Sequence, residues 1–385
     1  GLTWETATTS NIGIDMGLLY GKMRFTGDAY IRKTKDMFTV GIDLPAVFGA
    51  TPPKGNYADM TTKGWELSLS WQDKFNIASK PFQYNIRVTM ADYLSKLDKY
   101  NNPEKDLGGY LDARVNYYEG MTLGEIWGYV TEGFFTSLDD VNNHASQRLY
   151  FASNSGTWLP GDIKFKDLNN DKVIDYGTNK VGDPGDRKVI GNTTPRYTYS
   201  INLGAEWNGI FLSAFFQGVG KQDWWPGTDN ALFWGQYNRP YNNIPSSMIG
   251  NIWSEEKPDT YFPRYRGYVA LQSTRELSVV QTRYLQNVAY IRLKNMQLGY
   301  NFPRKTLLPL KMEVARLYLT AENLWCWSPL YKHTKNFDVG NIYGEDIEAK
   351  SAAGSGGTNS IIGNGGNSYN YPILKSISAG LSITF

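Results

Sequence analysis

The sequence predicts an all-β protein, an antiparallel transmembrane β-barrel with long extracellular loops, and three observations support this. Apolar and polar residues alternate strictly, the alternating runs are long, and the connections between them are alternately short and long. In the clearest run, 196–207, polar or small residues occupy the even positions. Successive side chains of a strand point to opposite faces, so the residues at the odd positions share the other face. These residues are apolar or aromatic. That face carries Tyr197, Tyr199, Ile201, Leu203, Ala205 and Trp207.

Nine alternating runs are recognisable along the chain, and most exceed the ~5–6 residues of a typical globular strand. A strand that crosses a bilayer needs ~9–11 residues, so the lengths favour a membrane barrel over a soluble lectin-like β-sandwich. Within 288–300 the apolar residues change from odd to even positions, which predicts a β-bulge near Lys294–Asn295. The nine runs are 11–18, 23–32, 65–71, 82–90, 196–207, the run after Asn208-Gly209, 288–300, 315–322 and 373–385.

The connections between these runs alternate in length, as in outer-membrane barrels with short periplasmic turns and long extracellular loops. Asn208-Gly209 is a strong hairpin signal, because both residues tolerate positive φ. Such barrels normally have an even number of strands. We therefore expect residues 1–385 to be the C-terminal part of a larger barrel, with the plug domain and earlier strands absent. The predicted short connections are 20–22, 73–80, 208–209 and 302–313, and the long ones are 39–60, 97–194, 221–285 and 326–370.

The composition argues against several functional classes. The net charge of +2 points away from nucleic acid. Two histidines and the single Cys326 leave little for zinc chemistry or a disulfide framework. The sequence has no HExxH or GxSxG motif, and we expect no enzyme activity. A mean hydropathy of −0.44 is compatible with a barrel, since only alternate residues of its strands face lipid.

Several segments, in the order in which they occur, resemble the SusC-like (SusC/RagA) TonB-dependent outer-membrane transporters. The resemblance spans nearly the whole chain and ends at Phe385, a terminal aromatic residue on the apolar face of the last strand. The segments include 11–17 (NIGIDMG), 63–67 (KGWEL), 124–129 (GEIWGY), 191–197 (GNTTPRY), 215–220 (FFQGVG) and 290–295 (YIRLKN).

The resemblance implies a barrel of about 22 strands that encloses an N-terminal plug and lies in the outer membrane of a Gram-negative cell. It implies import of an oligosaccharide or a peptide. The implied partners are a SusD-like surface lipoprotein, the TonB-ExbB-ExbD complex through the absent N-terminal part, and outer-membrane lipid. The alternatives are a passive porin-type channel and a non-transport outer-membrane barrel, and the upstream sequence would separate the first of these from an importer.

One loop, 167–178, resembles the first part of a calcium-binding loop. Oxygen donors occur at its first, third, fifth and ninth positions, and a backbone carbonyl is expected at the seventh. Lys172 replaces the usual Gly, and Thr178 replaces the usual Glu, so a solvated Asx-rich turn is the alternative. Asp183 or Asp186 would complete the shell in place of that Glu. The sequence predicts a structural Ca²⁺ held by Asp167, Asn169, Asp171, Val173 and Asp175.

Aromatic and charged side chains suggest further roles. For the aromatic residues of 221–265 we favour a small loop core over a partner or sugar surface. Trp65, Trp71 and Trp207 are predicted to be interfacial anchors. The substrate-binding residues are not identified by any motif. The charged residues predicted to face the barrel interior are Asp15, Arg24, Asp28, Arg87, Arg316 and Glu322.

Overall fold

The structure is a computed structural model that describes residues 2–40, 49, 53–108, 115–149, 158–227, 230–238, 241–266, 276–342 and 372–385. Within these residues, nine strands form one antiparallel sheet in which each strand pairs with its neighbours along the chain. This confirms the predicted all-β class. The strands are β1 (Thr6–Leu18), β2 (Met23–Val40), β3 (Lys54–Ile77), β4 (Lys80–Lys99), β5 (Arg196–Trp207), β6 (Ile210–Lys221), β7 (Tyr290–Asn301), β8 (Val314–Trp327) and β9 (Ser376–Thr384).

The register of the sheet places apolar residues directly opposite each other from the first strand to the last. The adjacent row is polar at every position except Gly17 and Phe215, which confirms the shared face of Arg24, Arg87 and Glu322. Two distinct faces therefore extend across all the strands. The apolar row comprises Leu18, Met23, Trp71, Ile86, Leu203, Ala214, Met296, Ala321 and Ile377.

Short connections join the strands at one end of the sheet. Asn208 and Gly209 have φ of 49° and 87°, the backbone that a two-residue hairpin turn requires. The predicted connection over 73–80 is wrong, because β3 and β4 pair as far as Ile77 and Lys80 and only Ala78-Ser79 turn. Packing of Phe75 against Phe82 across the hairpin, with ring centroids 5.1 Å apart, extends the pairing.

The predicted bulge is confirmed. Asn295 pairs with Glu322 and Leu293 with Trp325, so β8 has one more residue than β7 in this interval. Asn323, which lies in the bulge, has a φ of 51°. The predicted loop 39–60 is also shorter than expected, because its residue Ala58 belongs to β3 and pairs with Met37 of β2. Of the predicted loop 326–370, residues 343–370 lie outside the described residues.

The remaining elements are short. No helix in the described ranges is long and apolar enough to cross a membrane. The α-helices are Leu138–Asn143, Ala231–Trp234 and Arg304–Leu307, and the 3-10 helices are Leu19–Gly21, Gly235–Tyr237, Ser246–Met248, Leu308–Leu310, Pro329–Lys332 and Val339–Asn341. The small strand pairs are Glu125–Tyr129 with Arg187–Asn192, Thr131–Phe134 with Ile163–Phe165, Ser146–Gln147 with Val173–Ile174, and Asp223–Trp224 with Gln286–Asn287.

Three of the long connections at the other end of the sheet pack together into one hydrophobic core, here called the loop core. Its buried residues come from 126–174, 224–288 and 330–342. A smaller cluster around Leu97, Leu107 and Met121 packs beside the start of the long connection between β4 and β5. Burial of these side chains removes a large apolar area from water, so the loops form an ordered unit.

Candidate functional site

The polar face of the sheet is a continuous hydrogen-bonding surface. The hydroxyls of Thr89 and Ser200 lie 2.7 Å apart across β4 and β5. Gln297 Nε2 donates to Thr320 Oγ1 at 3.0 Å across β7 and β8. A cleft of about 560 Å³ lies on this face near the short turns. The side chains that line it include Arg24, Gln83, Asn85, Arg87 and Glu206. A polar wall of this kind suits the water-filled or plugged interior of a barrel.

The apolar face carries the predicted anchors. Trp71 Nε1 donates to the Tyr84 hydroxyl at 3.0 Å, and Trp207 Nε1 donates to the Ile77 carbonyl at 3.2 Å, both near the short turns. Trp65 lies on the same strand and face as Trp71, six residues away, which is about 20 Å along a strand. The aromatic residues therefore lie at two levels, as expected for the two interfaces of a bilayer.

An ion pair joins the sheet to the loops at the upper end of β4. Arg196 Nε and Nη2 donate to the two carboxylate oxygens of Asp92, each at 2.5 Å. The backbone N–H of Tyr197, at a φ of 54°, donates to the same carboxylate at 3.2 Å. The Asp92 side chain is only 5% exposed. A bidentate pair of this kind is geometrically specific and fixes where the long connection between β4 and β5 starts and ends.

A second ionic cluster lies inside the loop core. The fully buried Asp162 accepts from Arg264 Nε at 2.6 Å and from Arg266 Nη1 at 3.0 Å. Glu276, also fully buried, lies 3.5 Å from the same Arg266 nitrogen. Burial, followed by the nearby Asp162 carboxylate, raises the pKa of Glu276 to about 7. Sequence reasoning missed this cluster, because its partners are up to 104 residues apart and share no local motif.

The structure places the predicted calcium ligands in an exposed turn. Asp167 Oδ1 accepts from the Asn170 N–H at 2.7 Å and Oδ2 accepts from the Lys172 N–H at 2.9 Å. Asp171 Oδ1 accepts from the Val173 N–H at 2.7 Å. Lys172 adopts a φ of 66°, the conformation for which Gly is usual at this position. These contacts are those of an Asx-rich turn.

The remaining predicted ligands lie around the same turn. Asn169 Oδ1 accepts from the Asp171 N–H at 3.1 Å, and Asp175 Oδ1 accepts from the Gly177 N–H at 2.8 Å. Asp186 accepts from Leu168 and Asp175 backbone N–H groups, and burial raises its pKa, with Asp167 and Asp171 adding to the effect. Among the described residues, no three His, Cys, Asp or Glu side chains converge on one point. The calcium site stays a prediction.

The aromatic residues of 221–265 chiefly form the loop core, as favoured from the sequence. Six of them are buried there, whereas Tyr241 is 81% exposed. Trp234 Nε1 donates to the Pro226 carbonyl at 2.7 Å, and the Tyr237 hydroxyl donates to the Pro263 carbonyl at 2.6 Å. Their polar atoms are thus used within the loops. The six buried residues are Trp224, Trp225, Phe233, Trp234, Tyr237 and Phe262.

Comparison with known proteins supports this architecture. No protein-family model matches the chain. TonB-dependent receptor P3 of Formosa agariphila is 26% identical over 333 residues, which are 84% of this chain and 30% of that protein. TonB-dependent receptor SusC of Bacteroides thetaiotaomicron is 22% identical over 84% of this chain and 28% of that protein. This chain thus spans about a third or less of the length of these curated relatives.

A solved structure, of the RagAB peptide transporter, matches with a TM-score of 0.68 and 20% identity. The match covers the whole of this chain and 35% of that one. The names of these proteins are those of receptors and transporters, which confirms the prediction that the chain is not an enzyme. The chain is thus similar in sequence to the SusC-like TonB-dependent receptors, and its nine-strand sheet has the fold of part of an outer-membrane β-barrel.

Proposed function

We propose that the protein imports a nutrient actively through a plugged barrel energised by TonB. The observation that carries the proposal is the loop core, in which three of the long connections share one buried interior at one end of the sheet. A passive pore needs only a polar wall, whereas a selective importer needs an ordered entrance above it. The plug and the contact with TonB-ExbB-ExbD belong, in this proposal, to parts of the protein outside this chain.

We assign a SusD-like surface lipoprotein as the partner that covers the loop core. Exposed apolar residues on the loops support a protein surface of this kind. Tyr241, Ile244 and Ile249 are 81%, 54% and 75% exposed and lie within nine residues of one another in the sequence. Aromatic and aliphatic residues of this type are typical of interface centres.

The proposed cargo is an oligosaccharide or a peptide. Both are consistent with a polar wall that carries arginines, amides and hydroxyls along its length. Among the similar proteins, RagAB is described as a peptide transporter, and that description applies to RagAB itself.

The first test is to purify the native protein from outer membranes in mild detergent and identify the proteins that co-purify. The second is to measure the uptake of oligosaccharides and peptides by cells with and without TonB. We expect a surface lipoprotein in the complex and uptake that stops when TonB is removed. Uptake that continues without TonB would indicate a passive channel. A deletion strain with no uptake defect for any nutrient would indicate a barrel that does not transport.

A further inference from the structure

A pocket of about 830 Å³ lies where β7 and β8 enter the loop core, beside the residues that precede β9. Arg292 and Cys326 contribute its floor and are paired in the register, in the same polar row as Ser200. The 3-10 helix Pro329–Lys332 and the residues after it form one side. The pocket thus adjoins the polar wall of the barrel through Arg292 and Cys326.

The charges around the pocket are predominantly positive. Its lining contains Arg292, Lys332, Lys335 and Lys375, against the single carboxylate of Asp338. Arg292 Nη2 donates to Asp338 Oδ1, so this pair is neutral. Among the described residues, none of the three lysines makes an ion pair, and all three are exposed. The described residues that line the pocket therefore carry an excess of about three positive charges at neutral pH.

Two buried polar atoms in the pocket wall have no hydrogen-bond partner among the described residues. One is Nε of Arg292, a residue that is only 5% exposed, and the other is Oδ1 of Asn323. A buried donor or acceptor without a partner destabilises the structure unless a ligand or water supplies the missing bond. A ligand oxygen would accept from Arg292, and a ligand hydroxyl or N–H would donate to Asn323.

We propose that this pocket binds the carboxylate of an acidic oligomer carried through the barrel. An oligomer of acidic sugars offers carboxylates with hydroxyls, and an acidic peptide offers carboxylates with amide N–H groups, so both supply the acceptor and the donor. The aromatic ring of Tyr331 adds an apolar surface on which a sugar ring or aliphatic chain packs. This inference rests on the proposed import function and narrows its cargo to anionic oligomers.

The test is calorimetric titration of the full-length protein in detergent with four probes: tetraglutamate, tetragalacturonate, and the neutral counterparts tetra-alanine and maltotetraose. We expect one of the acidic probes to bind about tenfold or more tightly than its neutral counterpart, with an affinity that falls as NaCl rises. Tighter binding of tetraglutamate would identify the peptide source, and tighter binding of tetragalacturonate the sugar source. Equal binding of acidic and neutral probes, or no binding of either acidic probe, would overturn the proposal.

The double variant Lys332→Gln/Lys335→Gln changes only exposed side chains and should fold. It should weaken binding of the acidic probe about tenfold. Lys305→Gln/Lys311→Gln, which removes two exposed lysines near the short turns, should leave the affinity unchanged. An unchanged affinity in the first variant would exclude this pocket. Binding is measured in detergent without TonB, so a failure to bind would refute this proposal and leave active import untouched. Active import would be refuted by uptake that continues without TonB.

Discussion

Asp92 and Arg196, 104 residues apart in the sequence, are joined by two hydrogen bonds of 2.5 Å at the place where the long connection between β4 and β5 leaves and rejoins the sheet. The carboxylate is almost completely buried, whereas the guanidinium is 26% exposed. Removing one partner of such a pair leaves a charge in a site with few other partners. The pair therefore fixes the base of the loops to the barrel wall.

We expect Asp92→Ala to lower the free energy of unfolding by about 2–4 kcal/mol, less than for a fully buried pair because Arg196 is partly exposed. The measurement is the temperature at which heat-modifiable gel mobility changes. Asp73→Ala, which breaks the more exposed pair with Lys22, is the matched control and should lower the stability much less than Asp92→Ala. Similar losses in both variants would show that the Asp92 pair does not hold the loops.

The two faces of the sheet predict opposite responses to charge. Arg in place of Leu203 lies in the apolar row and should cost about 2–4 kcal/mol if that row faces the middle of the bilayer. Arg in place of Ser200, three residues away on the polar face, should be tolerated, because water or polar groups solvate it there. Equal losses for the two variants, measured by unfolding in detergent or in lipid, would contradict the assignment of the faces.

The assignment of the faces and the bulge at Lys294–Asn295 was predictable from the sequence, because period-two alternation is a local property that each residue reports directly. The end of the hairpin at Ala78-Ser79 was not, since neither residue is a strong turn former and the contact of Phe75 with Phe82 decides it. The Arg292 pocket is assembled from segments more than 30 residues apart, so no local pattern could indicate it.

The loop core should become less stable as the pH rises. Glu276 has a pKa of about 7 in the folded protein, above its value of 4.5 when unfolded. The folded state therefore binds this proton more tightly, and the stabilisation present below pH 4.5 is lost as the pH rises through 7. Glu276→Gln keeps the neutral form at every pH. Its resistance to proteolysis of the loops should depend less on pH between about 5 and 8 than that of the wild type.

The matched control for that prediction is Glu256→Gln, which changes an exposed carboxyl of the same loops. This variant should keep the wild-type pH dependence. If Glu276→Gln and the wild type lose protease resistance in parallel as the pH rises, another group governs the response.

Calcium binding at 167–178 predicts a metal-dependent effect of Asp171→Ala. Calcium should raise the melting temperature of the wild-type protein and leave that of the variant unchanged. The variant also loses the hydrogen bond from the Val173 N–H, so a loss seen equally with calcium and with chelator would reflect the turn alone. Asp139→Ala, an exposed acid in the helix Leu138–Asn143, is the control and should keep the calcium response. No calcium effect on the wild type would refute the site.

The most direct test of the account is the side of the membrane on which the two ends of the sheet lie. Single cysteines would be placed at Tyr20 in a short turn and at Tyr241 in a long loop, with Cys326 replaced by Ser, and intact cells would be treated with a membrane-impermeant maleimide. Both tyrosines are exposed, at 108% and 81%, and the cells would lack the proposed surface lipoprotein, which would otherwise cover Tyr241, so access depends on location alone. We expect labelling at 241 in intact cells, and at 20 only after the outer membrane is permeabilised. Labelling at 20 and not at 241 in intact cells would contradict the proposed orientation, and with it the import pathway from loops to turns.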